Sequence, residues 1–299
     1  MAYFFITLLI FASMEVVSKP LMGVIDPFVL TFWRFLFGFL FFLFYPGLKK
    51  RFAEIARFGK NEWLSVVLLG ILNSFLAMCF LQVAVKMSSA ATSATVFCSN
   101  PVFVLIFASI AGMEKFSIKK MVGLMGGFAA VAVIMSEKGF VFKEGMLFAL
   151  LAAVIFAFYT VLSKKIVSNI TPFTVNLTSF FFGLLANFVF IFFYELPFLP
   201  TGSFFSDIEK ISAFIYLALV VTGIGYVTFF ETIKRFTALG ASLIFLLKPA
   251  VAVVFAYLFL EENLSMNFFA GLLLLGSATL IILSDKIKDL INSKLYVKP

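Results

Sequence analysis

The sequence has no histidine among its 299 residues, and only 13% of them are charged. Without histidine, imidazole metal sites, catalytic triads that use an imidazole base and imidazole proton relays are excluded. A soluble domain carries roughly a quarter of its residues as charges. The chain has too few charged residues to cover a surface that faces water.

Cysteine is equally scarce, and Cys79 and Cys98 both lie inside apolar stretches. We interpret both as packing residues, although a disulfide between them stays open at this level. The sequence has no P-loop motif, which argues against direct use of ATP. No metal and no cofactor are predicted.

Apolar residues make up 63% of the chain, and its mean hydropathy is +1.13. Lipid is the solvent that suits such a composition, and a spanning helix needs about 20 apolar residues. The sequence therefore predicts an all-α integral membrane protein of ten transmembrane helices. The predicted spans are Ala2–Lys19, Phe28–Tyr45, Trp63–Val85, Ser88–Gly112, Ile118–Ser136, Gly145–Val167, Pro172–Tyr194, Ile211–Ile233, Ala238–Leu260 and Met266–Ser284.

The net charge of +8 comes from basic residues between the apolar stretches. With ten spans, sixteen of the basic residues at or beyond the span ends fall on the side of the N-terminus and five on the other side. Lysine and arginine in short loops favour the cytoplasm. We therefore predict that both termini are cytoplasmic, and we interpret the charge as topological, with no binding to nucleic acid.

The two halves of the chain resemble each other. At a separation of 145 positions the matches are Val17-Ser18-Lys19 with Leu162-Ser163-Lys164, Pro27-Phe28 with Pro172-Phe173, and Gly38 with Gly183. At 148 positions they are Lys86 with Lys234, Phe97 with Phe245, Pro101 with Pro249, Glu114 with Glu262, Ser117 with Ser265, Gly123 with Gly271 and Ser136 with Ser284. Apolar composition alone does not align proline, glutamate, serine and glycine in one register. We predict two five-helix repeats, residues 1–138 and 143–286.

Five spans is an odd number, so the second repeat enters the membrane from the opposite side. Inverted repeats are typical of secondary transporters, whose substrate site lies near mid-membrane between the halves. Duplication alone could also produce such a pair. An inverted pair, however, supplies two near-equivalent conformations that face opposite sides, as alternating access requires.

The stretch Asp26-Pro27-Phe28 through Arg34-Phe35 resembles the loop and second helix of EamA-type proteins of the drug/metabolite transporter superfamily. Pro101, Gly112-Met113-Glu114 and Gly123 resemble the same family, as do their echoes Pro249, Glu262 and Gly271. The resemblance implies a ten-helix carrier of the plasma (inner) membrane with a central cavity, commonly an exporter of amino acids or related solutes. The sequence departs from many relatives at Phe11–Glu15, where they have a Trp-Gly pair.

Three charged residues lie well inside predicted spans: Glu15, Arg34 and Lys248. An ionisable residue at the bilayer centre costs about 2.5–3.5 kcal/mol on insertion scales and marks a pathway or an internal pair. Helical rise places all three near one level, so Glu15 can neutralise either base. One base then remains unpaired, which favours a cavity that accepts an anionic group.

Each charge has more than one interpretation. Lys248, directly before the helix-bending Pro249, contacts substrate or forms a structural salt bridge, and we favour the first. Arg34 contacts substrate or holds the first helix to the second. Glu15 binds a substrate amine, carries a coupling proton or acts as a structural counter-ion.

The repeat adds weaker candidates. Asn100 is the counterpart of Lys248 and precedes Pro101, so it is a predicted hydrogen-bonding residue of the site. Tyr159 and Tyr226 lie inside spans, where each hydroxyl needs a partner. Further residues able to face the cavity are Trp33, Asn73 and Asn176.

The leading hypothesis is a secondary transporter of a small polar metabolite, such as an amino acid or a related zwitterion or anion. The alternative is a polytopic membrane enzyme that acts on a lipid-linked or small polar substrate, which should show clustered acids or a nucleophile with a base. A channel would more naturally show rings of like charge. The expected partners are a small-molecule substrate, with or without a proton, and the lipid bilayer. No oligomeric state is predicted.

Overall fold

The computed structural model describes residues 2–45, 47–88, 90–135, 144–200, 202–260 and 266–295. Within these ranges the chain is helical, with no strand. The longer helices are α1 (Ala2–Gly23), α2 (Pro27–Phe44), α3 (Lys60–Met87), α4 (Ala90–Phe97 and Asn100–Ile110), α5 (Ile118–Met135), α6 (Gly145–Ile166), α7 (Pro172–Phe193), α8 (Ile208–Arg235), α9 (Ala238–Leu260) and α10 (Met266–Leu295).

Seven of these helices, α1 to α4 and α6 to α8, are long and apolar enough in their described residues to cross a membrane. Helices α9 and α10 contribute the shorter apolar stretches Ala238–Val251 and Phe269–Ile282. The helix bounds agree with the predicted spans to within a few residues for most helices. Domain boundaries at 138 and 143 lie outside the described residues.

Two features of the loops were not predicted. A short connecting helix, Leu48–Ile55, lies between α2 and α3, and α10 continues to Leu295 where the prediction ended it at Ser284. The extension follows from apolar residues at helical spacing, Ile287, Ile291 and Leu295, which continue one face beyond the apolar run.

Several helix starts follow from local chemistry. Asp26 accepts a hydrogen bond from the backbone nitrogen of Phe28, and Pro27 occupies the first turn of α2, where its missing N–H costs nothing. Helix α7 also has a proline, Pro172, in its first turn, but its N-cap residue Thr171 makes no side-chain capping bond. Asp207 caps α8 and bonds to the Lys210 ammonium at 2.8 Å, which holds the pKa of its carboxyl below the usual range.

Both third helices of the predicted repeats contain a π-helical segment. In α3 the segment is Ile71–Ala77, and in α8 it is Tyr216–Ile224, about 145 positions later. A π-segment widens the helix locally and frequently occurs at functional sites. Each π-segment packs against the second helix of the other half of the chain. Helix α2 packs on the π-segment of α8, and α7 packs on the π-segment of α3.

These contacts are close because glycine occupies the facing position. A Cβ atom at Gly38 of α2 would lie 2.8 Å from Thr222 Cγ2, and one at Gly183 of α7 would lie 2.4 Å from Ser74 Cβ. Gly38 and Gly183 are matched positions of the sequence repeat, and so are Thr222 and Ser74. The same helix contact therefore occurs twice, with the two halves in exchanged roles.

The first helix of each predicted repeat also packs on the other half of the chain. Helix α1 packs on α8 and α9, whereas α6 packs on α3 and α4. Helix α5 packs along α10, with Gly123 close to Ile282 and Ala278, and such a small residue permits close helix contact. Each half of the chain thus completes the core of the other.

Candidate functional site

The predicted charged residues on α1 and α9 meet in the core. Lys248 Nζ donates to Glu15 Oε1 at 2.6 Å, and the side chains are 4% and 2% exposed. Glu15 follows an interruption of α1 at Ser13, and Lys248 precedes Pro249, through which α9 continues as one helix. The other carboxylate oxygen, Oε2, is buried and has no hydrogen-bond partner within the described ranges.

Aromatic rings surround the ammonium group. Lys248 Nζ lies 5.8 Å from the ring centroid of Phe97 and 6.0 Å from that of Phe245. Those two rings, which are repeat counterparts, meet edge to face at 5.4 Å. The faces of aromatic rings attract cations, so the two rings complement the Lys248 ammonium together with the Glu15 carboxylate.

A small cavity of about 10 Å³ lies against this pair. A space of that size holds about one water molecule and no organic solute. Its lining is Phe11, Met14, Met78, Leu81, Phe97, Phe156, Tyr226, Phe245 and Lys248. Of the six predicted site residues, Lys248 and Tyr226 line it directly, and Glu15 reaches it through its contact with Lys248.

Arg34 on α2 is fully buried but makes a different set of contacts. Its Nε donates to Thr222 Oγ1 at 3.0 Å, and Nη2 lies 3.5 Å from Met14 Sδ. Nη1 has no hydrogen-bond partner in the part of the chain that the structure describes. The carboxylate of Glu15, which the sequence allowed either base to use, bonds to Lys248.

The three candidates that carry no charge mostly make contacts between helices. Tyr226 donates its hydroxyl to Asn73 Oδ1 at 2.9 Å and so joins α8 to α3. Asn100 donates to the Ala153 carbonyl at 2.8 Å and joins α4 to α6. Tyr159 packs on Phe156 and Phe230, with no hydroxyl partner in the described ranges.

The sequence analysis missed Thr222, which accepts from Arg34 and donates to the Leu217 carbonyl at 2.8 Å. The available signal was the repeat, since its counterpart Ser74 is also a hydroxyl residue inside an apolar span. Both cysteines are free and buried, which excludes the disulfide that the sequence left open.

Matched contacts also lie at the ends of helices. Lys19 Nζ donates to the carbonyls of Val85 and Ser88 at 2.6 and 2.7 Å, at the end of α3. Its repeat counterpart Lys164 donates to the carbonyls of Ile233 and Lys234 at 2.8 and 3.1 Å, at the end of α8. The last carbonyls of a helix lack intrahelical partners and attract cations. We refer to Lys19 and Lys164 as the lysine caps.

The family model of EamA-like transporters matches residues 1–136 and again residues 143–284. The chain belongs to the EamA-like transporter family. An uncharacterized transporter of Clostridium kluyveri is 31% identical over 96% of this chain and 94% of its own length. One of Archaeoglobus fulgidus is 28% identical over 75% of this chain and 81% of its own.

A crystal structure of another protein is similar to this one over 94% of each chain, with a TM-score of 0.71 and 19% sequence identity. The two proteins therefore share the fold. Together these similarities identify a multi-pass membrane transporter, and the family resemblance seen in the sequence is confirmed. As a family of transporters, it implies a small-molecule substrate. The family and these relatives carry the names of transporters, not of enzymes.

Proposed function

We propose that this chain is a secondary transporter that exports a small polar metabolite, an amino acid or a related zwitterion or anion, by alternating access. The two moving units are the five-helix repeats 1–138 and 143–286, inverted relative to each other. The observation that carries the proposal is the buried Glu15–Lys248 pair, which joins the two repeats beside a small cavity. The outward direction rests on the family resemblance.

The repeated contacts support inversion. Gly38 faces Thr222 as Gly183 faces Ser74, and α1 packs on the second half as α6 packs on the first. An approximate twofold axis in the membrane plane generates such an exchange of roles. Under this topology, with both termini cytoplasmic, Lys19 lies at the outer face and Lys164 at the inner face of the inner membrane.

The proposed transport cycle uses the two lysine caps and the Glu15–Lys248 pair. A cavity of about 10 Å³ is too small for an organic solute, so we assign this conformation to an occluded arrangement in which both caps are formed. Releasing one cap separates α1 from α3, and releasing the other separates α6 from α8, so each opens the cavity toward one face. In the open forms the acidic group of the substrate competes with Glu15 for Lys248. Its basic group, where it has one, competes with Lys248 for Glu15.

Purified protein tests this assignment in two steps. A thermal-shift screen against amino acids, amines, nucleosides and phosphorylated metabolites identifies ligands, because a bound ligand stabilises the folded state. Hits then enter counterflow assays in proteoliposomes. The double variant Glu15→Gln/Lys248→Met, which removes both charges together, should retain the fold and lose counterflow.

The matched control is Asp207→Asn/Lys210→Met, which removes a half-buried ion pair outside the core and should transport normally. Normal counterflow by the Glu15/Lys248 double variant would remove this pair from the site. If Glu15 carries a coupling proton, Glu15→Gln should also abolish the response of flux to an imposed proton gradient.

A further inference from the structure

Buried charge is unbalanced in the spans. Among the described residues of the spans, three charged side chains are buried, with Glu15 at 1%, Arg34 at 0% and Lys248 at 3% exposure. Glu15 and Lys248 neutralise each other at 2.6 Å. Glu15 also interacts electrostatically with Arg34, so one buried acid serves two buried bases and one positive charge remains in excess. A buried charge without a counter-ion is costly, so an opposite charge belongs near it.

The partners of Arg34 do not supply that charge. Thr222 Oγ1 is a neutral acceptor, Met14 Sδ is a weak one, and the face of the Phe35 ring lies 5.4 Å from the guanidinium carbon. A guanidinium has five N–H donors in a planar fork. Nη1 has no acceptor in the described ranges, and no described carboxylate lies within ion-pair distance.

The guanidinium of Arg34 lies one side chain from the cavity. Met14, which Nη2 touches, lines the cavity on one face, and Lys248 lines it as well. Methionine is unbranched and changes rotamer readily, so its thioether is a poor permanent barrier. A shift of Met14 would join the guanidinium to the cavity, while the hydroxyl of Thr222 keeps the arginine in place.

We propose that Arg34 is an anion-binding residue, which takes one carboxylate-sized or halide-sized anion through the cavity when Met14 moves aside. The site is distinct from the Glu15–Lys248 pair. It makes Arg34 the favoured contact for an anionic group, whereas the sequence favoured Lys248. The anion comes from the substrate's own carboxylate or from the medium. The first source rests on the proposed transport function, and the second does not.

Thermal stability of the purified full chain tests anion binding without transport. Sodium chloride or sodium acetate replaces sodium gluconate, a bulkier anion, at constant ionic strength. We expect a saturable rise of a few degrees in Tm for the wild type. Arg34→Gln should lose this response, and Arg57→Gln, an exposed arginine, should keep it.

Arg34→Lys covers the case in which Arg34→Gln does not fold. It keeps the charge but loses the planar fork, so half-saturation should need about tenfold more anion. An unsaturable or absent response in the wild type would overturn the proposal. An Arg34→Lys variant, or a folded Arg34→Gln variant, that responds like the wild type would overturn it as well.

Flux in proteoliposomes then distinguishes the two sources. If the substrate's carboxylate binds Arg34, chloride should raise KM and leave the maximal rate unchanged. If an inorganic anion is resident, flux should fall when chloride is replaced by gluconate. An anion-dependent Tm in a protein that transports none of the screened solutes would support the Arg34 site and contradict the proposed function.

Discussion

Lys19 and Lys164 make the same contact at the ends of two helices, whereas Lys248 and Asn100, which are also counterparts, make different ones. Each cap donates to two terminal carbonyls. In the core, Lys248 forms an ion pair with Glu15, while Asn100 donates to a backbone carbonyl of α6. The repeat is therefore preserved at the helix ends and broken at the centre.

This difference fits the division of labour in the proposed transporter. The two ends must open and close in the same way at opposite faces, so equivalent contacts serve both. The centre holds one asymmetric solute, and identical groups from both halves would not match its different ends. Substitutions in the centre and at the helix ends should therefore have different effects.

Removing one member of the central pair should destabilise the protein most. Lys248→Met leaves the Glu15 carboxylate buried without its partner, which costs about 3–5 kcal/mol. Asn100→Met, at the counterpart position, removes one neutral hydrogen bond and should cost only about 1 kcal/mol. Unfolding in detergent, followed by tryptophan fluorescence against denaturant, measures both.

The double variant Glu15→Gln/Lys248→Met should recover most of the loss, because no isolated charge remains. If Lys248→Met were as mild as Asn100→Met, the pair would not be an ion pair in the folded protein. The comparison between centre and counterpart would then fail.

Breaking the caps should change access more than binding. Lys19→Met and Lys164→Met each remove charge-assisted hydrogen bonds worth about 1.5–3 kcal/mol. With Cys79 and Cys98 replaced by alanine and Met78 in the cavity wall replaced by cysteine, an impermeant maleimide reports access from each face. Lys19→Met should increase labelling from the face where α1 ends, and Lys164→Met from the opposite face.

A variant that preserves the charge provides the control for the caps. Lys19→Arg and Lys164→Arg can still donate to the terminal carbonyls and should label nearly as the parent does. If both methionine variants opened the cavity to the same face, the caps would not act as an inverted pair.

The glycine contacts should show the smallest difference between halves. Alanine at Gly38 or Gly183 overpacks the contact and should cost about 1–3 kcal/mol. Gly183→Ala should cost more, because its Cβ would also lie 2.6 Å from the Gly70 carbonyl oxygen, whereas the close atom at Gly38 is a methyl of Thr222.

Thr222→Ser removes that methyl and keeps the hydroxyl that Arg34 uses. It should therefore restore the midpoint of thermal unfolding in Gly38→Ala. Ser74→Ala cannot move a backbone carbonyl, so it should not rescue Gly183→Ala. Equal rescue at both positions would mean that the two contacts are equivalent in packing as well as in topology.

The sequence predicted the helices well because each apolar run must satisfy its own backbone in lipid. It also predicted that Glu15 and Lys248 lie at one level, since helical rise fixes depth. Depth does not fix the rotation of a helix about its own axis. That rotation determines that Glu15 contacts Lys248 and that Arg34 contacts Thr222. The π-segments, which depend on packing against α2 and α7, had no signal in hydropathy.

The pattern of apolar spans in the sequence also did not predict the connecting helix Leu48–Ile55. Three of its residues, Lys49, Lys50 and Arg51, read as loop charges. In the structure Arg51 is buried and donates to the Tyr45 carbonyl, while its guanidinium lies over the rings of Tyr45 and Phe173. Such contacts join distant segments, so single-segment patterns do not report them.

The pairing of Glu15 with a residue 233 positions later has a consequence for biogenesis. Chains are synthesised at about 5–20 residues per second, so the acid of α1 reaches the membrane roughly 10–50 s before its lysine exists. During that interval α1 also lacks α8 and α9, the helices on which it packs. The first helix must therefore wait at the insertion machinery, or enter lipid with Arg34 of α2 as a temporary partner for its acid, until the ninth arrives.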